Sequence, residues 1–551
     1  VQERGAVARR VVVVMLLWPK RRPICIPLCV MSDERARIII MPRLALYVLA
    51  VLAVIARGAE STSSSSFTYE YSSNLDLADS ARRIVSTTCA KYGSIEVLGT
   101  STEGVEVFAV RLRKENNNEG LPKVKIVGNL HGDEPTGRVL TLGLAEWLCG
   151  HVGKDERASL ILSKVDLWLV PTVNPDGYAL GRRGNSKDVD LNRDFPDRFD
   201  EGATSNWLPE RGNHQVETRM IMDFIRREGP FVSRYVVVLV VCWLVRRLAA
   251  CPYRSIDRSL AHSRYALVRS SLAIHEGALV ANYPWDGSPD RSTGNQPSPD
   301  DATFRDLARG YASAHRKMSL ASNVEFAKTK GITNGAAWYP IYGSMQDWNY
   351  VVAGCMELTL EVSEDKWPDE SKLPGLFEDN LPAMLEFILR SSVRSFSGIV
   401  YGIHTNGSSN NRKAGAGAGA GKQNLPIPAS VTVHPSFMNT TTDPTAGTFY
   451  RPLAPGTYTV EVAAEGFKPK TMQVEMAEDG VFVRVYLNML SSGATTAGWL
   501  VVDPREQFQS GVIIVVGVAT IAGGGLFWIH QLLLSRSSGR SLMSSLKILR
   551  R

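Results

Sequence analysis

At 551 residues, 44% of them hydrophobic and 21% charged, the chain is long enough for two or more domains with real cores, and its composition is globular. Its formal charge of +7 is unevenly placed: residues 1–43 carry +6, residues 233–269 carry +6 and residues 535–551 carry +5, which leaves −10 for the rest. That acidic body excludes nucleic acid as the expected partner and suits cationic substrates at long range.

Residues 1–40 mix Arg with short apolar runs such as Val11–Trp18 and are expected to be untranslated or mispredicted sequence. From Met41, a charged Arg43, the apolar run Leu44–Ala56 and the small residues Gly58 and Ala59 predict a signal peptide over 41–59. Ser61–Ser66 is a Ser/Thr-rich linker. Apolar residues at helical spacing follow over Leu77–Cys89, then strand patterns at Val105–Leu112 and Val124–Val127.

The second of these strands runs into VKIVGNLHGDE, residues 124–134. It places His131 and Glu134 three residues apart in a polar turn. Imidazole and carboxylate are both zinc ligands, and catalytic zinc usually has three protein ligands and an open place for water. A loop His beside a surface Glu gives the same pattern, so a third ligand, a base and a substrate clamp must come from elsewhere.

Gly137–Cys149 predicts an amphipathic helix, and Val165–Val173 a buried strand ended by the turn signal Asn174-Pro175-Asp176-Gly177. Helix 215–227, strand 271–275, helix 302–315, strand 356–362 and helix 374–391 continue the alternation. That order predicts an α/β domain, a mixed sheet with helices on both faces, over 68–395. Ligands in such sheets sit beyond the carboxyl ends of strands, where His131, Asn174 and His275 fall.

Residues 233–269 interrupt the pattern with the apolar run Tyr235–Val245 and Arg-rich sequence. Eleven apolar residues do not span a bilayer, and a crossing would put His131 and His275 on opposite sides. The stretch is expected to be a surface insertion or, preferably, a mistranslated segment.

Over 396–490 the character changes. Short strand patterns at Val431–Val433, Thr457–Ala463, Met472–Met476 and Val481–Leu487, separated by Gly/Pro turns, predict a small β-sandwich. The Ala/Gly repeat Lys413–Lys422 predicts a flexible loop, and Asn406 and Asn439 head glycosylation sequons. Gly511–Leu534 is long and apolar enough for a transmembrane helix, with Arg536, Arg540, Lys547, Arg550 and Arg551 behind it over 535–551. With a signal peptide this predicts a type I membrane protein whose body is extracellular or lumenal. The seven cysteines, Cys25, Cys29, Cys89, Cys149, Cys242, Cys251 and Cys355, form no C-x-x-C pattern; a thiolate metal site is not expected and any pairing is left open.

Two further stretches answer the opening motif. In RGNSKDVDLNRDFPD, residues 183–197, Asn192 and Arg193 offer an amide and a guanidinium fork together, which suits a carboxylate. In HEGALVANYPWD, residues 275–286, a His again follows a short apolar run. With HGDEPTGR, NPDGY, ITNGAAWYPIYGSMQDWNY and ELTLEVSEDKWP, these six motifs in order resemble the zinc metallocarboxypeptidases, in the regulatory branch of carboxypeptidases D, E, M and N. The resemblance covers roughly 68–395, leaving aside 233–269, and the 396–490 segment looks like that branch's transthyretin-like domain.

The resemblance implies one Zn²⁺ held by His131, Glu134 and His275, with Glu361 as general base and Arg183 polarising the scissile carbonyl. It implies that Asn192 and Arg193 hold the substrate's terminal carboxylate and that Tyr339 closes on it. Asp286 would be the acid of the pocket for the departing side chain, lined by Gln346. The implied activity is removal of C-terminal Lys or Arg from peptides and proteins of the secretory pathway or cell surface, by an enzyme expected to be a monomer. Read without the resemblance, Asp286 is first a turn residue before Gly287-Ser288, and the alternation of Glu361 with Leu358, Leu360 and Val362 also fits a strand residue on a solvated face. Three positions depart from the family: Glu276 replaces the usual Gly after the second His, and Asp188 and Asp194 replace Gly and Asn. Two other functions fit the fold: a catalytically impaired peptide-binding or adhesion protein, and another zinc hydrolase such as a deacylase.

Overall fold

The computed structural model describes residues 67–114, 120–199, 214–228, 268–405, 422–436 and 439–490, together with the strand residues 11–16, 24–29, 512–515 and 530–533. The expected signal peptide 41–59, the Ser61–Ser66 linker, the Asn406 sequon, the loop 413–421, the tail 535–551 and most of 233–269 lie outside the described residues. Residues 1–68 form a unit of their own, in which strands β1 (Val11–Leu16) and β2 (Ile24–Cys29) pair antiparallel.

The remaining chain is built on an eight-stranded sheet. Its strands are β3 (Gly93–Thr100), β4 (Glu106–Leu112), β5 (Lys123–Gly128), β6 (Asp166–Val170), β7 (Val268–His275), β8 (Ala278–Tyr283), β9 (Ile332–Asn334) and β10 (Met356–Ser363), in the spatial order β3-β4-β6-β5-β7-β10-β8-β9. The inner strands β6, β5, β7 and β10 run parallel, and β3–β4, β4–β6 and β10–β8 are antiparallel, so the sheet is mixed, as expected. Every residue of β5 and β6 is buried. In β6 burial on both faces gives the apolar run Leu167–Val170, whereas β5 carries the buried Lys125, which pairs with Glu357 at 3.4 Å. On one face Val127, Val170 and Ala273 pack with Ile221 and Phe224 of the helix Val216–Glu228 and with Trp348 of the helix Met345–Ala353. The helices Thr136–Gly150, Asp301–Ala314 and Leu373–Ile388 supply the other layer. A disulfide joins Cys89 to Cys149 across 60 residues.

Local signals decide several boundaries. Asn174 and Pro175 open a short helix, Pro175–Ala179, where a plain turn was expected: the Asn174 side chain accepts from Gly177 N at 2.9 Å and Pro175 occupies the first helical position. The strand before it is correspondingly shorter, ending at Val170. Strand β7 begins at Val268, so the last two residues of the doubtful 233–269 stretch belong to the sheet. Strands β3 and β8 and the helix Glu156–Lys164 were not expected; β3 is an edge strand whose residues are only partly buried and therefore lacks a strong apolar period.

The C-terminal part has two four-stranded sheets. One holds β11 (Phe396–Thr405), β12 (Lys422–Pro426), β15 (Thr448–Arg451) and β18 (Val481–Asn488); the other orders β14 (Thr440–Thr441), β13 (Ser430–His434), β16 (Gly456–Ala463) and β17 (Lys470–Met476). Phe396, Val400, Val431, Phe449, Val460, Val462 and Val485 form their common core, a β-sandwich packing. It is tied to the large domain by Arg451, whose Nη2 donates to both oxygens of Asp300 at 2.9 Å. Tyr350 OH and Ser436 Oγ donate to the same carboxylate at 2.6 and 2.8 Å, all within the buried interior.

Most of the apolar run 511–534, over which a transmembrane helix was expected, lies outside the described residues. Among the described residues no helix is long and apolar enough to cross a membrane, and β19 (Val512–Val515) pairs antiparallel with β20 (His530–Leu533).

Candidate metal and active site

The site lies beyond the carboxyl ends of β5, β7 and β10. Its first corner is shaped by Asn129, which follows β5 in the left-handed region at φ 53°. The buried Asn129 amide donates to the carbonyls of His131 (2.7 Å), Gly132 (3.3 Å) and Glu134 (3.2 Å), and its oxygen accepts from Thr172 Oγ1 at 2.8 Å. That side chain folds residues 130–134 into a loop that presents His131 and Glu134 together. The loop can be tight because the helix after it lies directly on β5: a Cβ on Gly128 would stand 2.6 Å from the Gly137 carbonyl carbon.

His131, Glu134 and His275, each 2% exposed, converge. Glu134 Oε2 is 2.9 Å from His131 Nδ1 and 2.8 Å from His275 Nδ1, and the two imidazole nitrogens are 3.1 Å apart. Asp190 Oδ1 sits 3.0 Å from His131 Nε2, which assigns the proton to Nε2 and turns the Nδ1 lone pair inward. Two lone-pair nitrogens and a carboxylate oxygen crowded on one point suit a metal cation, and imidazole with carboxylate is a donor set that zinc takes. The other oxygen, Glu134 Oε1, accepts from Lys366 Nζ at 2.8 Å and Arg183 Nη1 at 3.2 Å.

Asp190 does more than orient His131. Its Oδ2 accepts from Arg183 Nε at 2.9 Å, and its Oδ1 also accepts from Asn192 N at 2.9 Å, starting the tight helical turn Leu191–Arg193. One carboxylate thus links a ligand, Arg183 and the Asn192-Arg193 pair. Burial works against its charge, yet His131 and Arg183 hold Asp190 well below the ordinary carboxylate range. Asn192 is buried and its oxygen is anchored by Met345 N at 2.9 Å, so its NH₂ is the group left to meet a substrate. Arg193 is partly exposed, with Nη1 on the Asn192 carbonyl at 2.9 Å.

Glu361 lies on β10 directly opposite His275 on β7. It is 9% exposed, and its Oε2 is buried with no hydrogen-bond partner among the described residues. Burial, reinforced by Glu134, pushes its carboxyl well above the ordinary range, against Lys366 and Arg183. Such a carboxylate holds no structure in place and is suited to taking a proton.

Asp286 is buried, and its Oδ1 accepts from Gln346 Nε2 at 3.0 Å and Asn282 Nδ2 at 3.2 Å. Gln346 is itself fixed by Thr359 N at 2.8 Å. Gly335 makes the room, since a Cβ there would stand 2.1 Å from Asp286 Oδ1. Burial raises the Asp286 carboxyl, and hydrogen bonds from Ser344 and Asn282, with the charge of Arg193, oppose the shift. Tyr339 is 47% exposed, and partial burial of its hydroxyl raises its pKa, with the charge of Glu361 adding to the rise and those of Arg193 and Arg183 opposing it. Of the ten residues singled out in the sequence, His131, Glu134 and His275 converge, Arg183 meets Glu134, Glu361 lies opposite His275, Asp190 joins Arg183 to Asn192, and Gln346 holds Asp286.

The departures from the family are harmless to that gathering. Asp188 is exposed and takes φ 62°, the left-handed region that otherwise favours glycine. Asp194 is turned to Gln215 N at 2.7 Å and to His214 and so does not compete for Arg193. Glu276 points away from the three donors toward Thr136. Sequence reasoning missed Asn129, Asp190 and Lys366. For Asp190 the available signal was its place two residues before Asn192; for Asn129, a turn-forming Asn at the end of a strand.

A family model described as zinc carboxypeptidase matches residues 83–243 and 254–383. The chain is 35% identical to carboxypeptidase SOL1 of Arabidopsis thaliana over 424 residues, which is 77% of this chain and 73% of that protein. It is 32% identical to carboxypeptidase E of Caenorhabditis elegans, over 69% of this chain and 78% of that one. Similarity to carboxypeptidase D of Mus musculus, at 30% identity over 72% of this chain, spans only 25% of that longer protein.

Proposed function

The chain belongs to the zinc carboxypeptidase family, and from that premise we propose that this metallocarboxypeptidase removes C-terminal Lys or Arg from peptides and proteins of the secretory pathway or cell surface. The observation that carries the specificity is the buried carboxylate of Asp286, fixed by Gln346 and Asn282. An enclosed carboxylate is costly unless a cation reaches it, so a Lys or Arg side chain is the favoured occupant.

His131 Nδ1, Glu134 Oε2 and His275 Nδ1 would hold the zinc, which when bound supplies a Lewis acid and a more acidic water. The rest of the chemistry falls to the chain. Arg193 and the Asn192 amide grip the free carboxylate, which separates a chain end from an internal peptide bond. Glu361 Oε2 takes a proton from the attacking water and returns it to the leaving amine. Arg183, preset by Asp190, meets the oxyanion that forms on the former carbonyl. Tyr339 covers the carboxylate from the exposed side. With ligands, base and clamp in one cleft, a catalytically impaired binding protein is not favoured.

The transthyretin-like character of residues 396–490 is part of the same proposal and is supported by their two packed sheets. Passage through the secretory pathway is supported by the Cys89–Cys149 disulfide, which persists in oxidising compartments. Attachment to a membrane rests on the apolar composition of 511–534 and the basic residues behind it. Purified protein supplied with zinc should trim peptides ending in Arg or Lys; if it leaves them intact and trims another terminus, the specificity proposal fails.

A further inference from the structure

Glu276 stands immediately after the ligand His275, yet its side chain leaves the donor triangle. The residue is 2% exposed. Its Oε2 accepts from Thr136 N at 2.8 Å, and its Oε1 accepts a short hydrogen bond from Thr136 Oγ1. Thr136 is the first residue of the helix Thr136–Gly150, whose own N-cap residue, Pro135, gives no side-chain hydrogen bond. The opening N–H groups of a helix have no partner within it, and a carboxylate is the favoured group to meet them. Glu276 therefore caps this helix from the connection between β7 and β8.

The cap also joins two ligand-bearing segments. Glu134 is separated from Thr136 only by Pro135, whose ring fixes its own φ, so a shift of Thr136 is passed to Glu134 with little slack. At the other end, Glu276 is bonded through one peptide to His275, and its backbone N lies 3.4 Å from Glu134 Oε2. A backbone contact of that kind is open to any residue at 276; the two bonds to Thr136 need this side chain.

We infer that Glu276 is a positioning residue for the metal centre: by clamping Thr136 it fixes the separation between Glu134 and His275. The inference rests on the reading of His131, Glu134 and His275 as a zinc site. Groups that orient ligands from outside the coordination sphere commonly change metal affinity by ~10–100-fold when removed.

The test is zinc affinity of the full chain, measured by competition with a chromogenic chelator, alongside the visible absorption spectrum of the cobalt-substituted protein. Wild-type protein that takes up no zinc would overturn the metal-site reading, and this inference with it. Given wild-type binding, Glu276→Ala should weaken zinc by ~10–100-fold and alter the cobalt bands. Glu276→Gln, which keeps an acceptor for Thr136 N and can donate to Thr136 Oγ1, should recover most of the affinity. Thr136→Val, which deletes only the hydroxyl, should lose affinity in the same direction and carries the test if Glu276→Ala is not recovered folded. Wild-type affinity and cobalt bands in Glu276→Ala, or in Thr136→Val where that variant stands alone, would overturn the inference. So would a Glu276→Gln variant as weak as Glu276→Ala.

Discussion

Glu361 and His275 are register partners on the adjacent parallel strands β10 and β7. The separation between the candidate base and a metal ligand is thus set by the hydrogen-bond ladder of the sheet centre, where both strands are flanked by further strands. Parallel strands this deeply covered resist local opening, so the pair is held at a well-protected place in the sheet.

Replacing Glu361 by Gln keeps the shape and removes the proton acceptor. Turnover should fall by ~10²–10⁴-fold, while binding of a peptide with a free C-terminus, followed by calorimetry, stays near wild type. Near-normal turnover would take the base role away from Glu361.

The clamp predicts a different signature. Arg193→Ala should raise KM for peptides with a free terminal carboxylate by about 10–100-fold, the weight of one or two hydrogen bonds to a charged group. C-terminally amidated peptides, which never engaged the guanidinium, should be cleaved as poorly by the variant as by the parent. An unchanged ratio between the two peptide classes would place carboxylate recognition elsewhere.

Asp286→Asn preserves the bonding to Gln346 and Asn282 in outline but removes the charge from the pocket. Discrimination between Arg-ended and Leu-ended peptides, taken as the ratio of kcat/KM, should shrink by an amount on the order of 2–5 kcal/mol, the cost of unpairing a buried charge. If the ratio survives, another group selects the departing side chain.

Away from the cleft, His315 gives the fold a pH dependence. Its Nδ1 accepts from Lys317 N at 3.1 Å and Met318 N at 3.0 Å, so the neutral ring is the one that fits. Burial, with Lys317 assisting and Asp379 opposing, brings its pKa down to about 4 from the model-peptide 6.5. Between those values the unfolded chain binds more protons than the folded one, so stability rises with pH across that window. The contribution is complete above about 6.5 and lost as pH falls through about 4, with a size of ~3 kcal/mol. Urea midpoints of His315→Gln should show a weaker fall between pH 6.5 and pH 4 than wild type; parallel curves would exclude the assignment.

Strand β6 was legible because burial on both faces leaves an uninterrupted apolar run, Leu167–Val170, and β5 was legible from Val124, Ile126 and Val127 despite the buried Lys125. His131 and Glu134 were visible as a pair because three residues of chain join them. The distance from either to His275 was not visible, because it depends on which strands become neighbours. Asn129 and Asp190 act through backbone groups and ring nitrogens that a pattern of residue types does not display.

The contact between Arg451 and Asp300 bears on how this protein can be taken apart. Cutting the chain near residue 395 would strip Asp300 of its guanidinium and of Ser436, leaving a buried acid against Tyr350, at a cost of ~3–5 kcal/mol. Tyr350 is one helical turn from Gln346, the residue that fixes Asp286. A shortened recombinant fragment would therefore carry its damage toward the specificity pocket, and the smallest unit worth expressing includes the sandwich through residue 490.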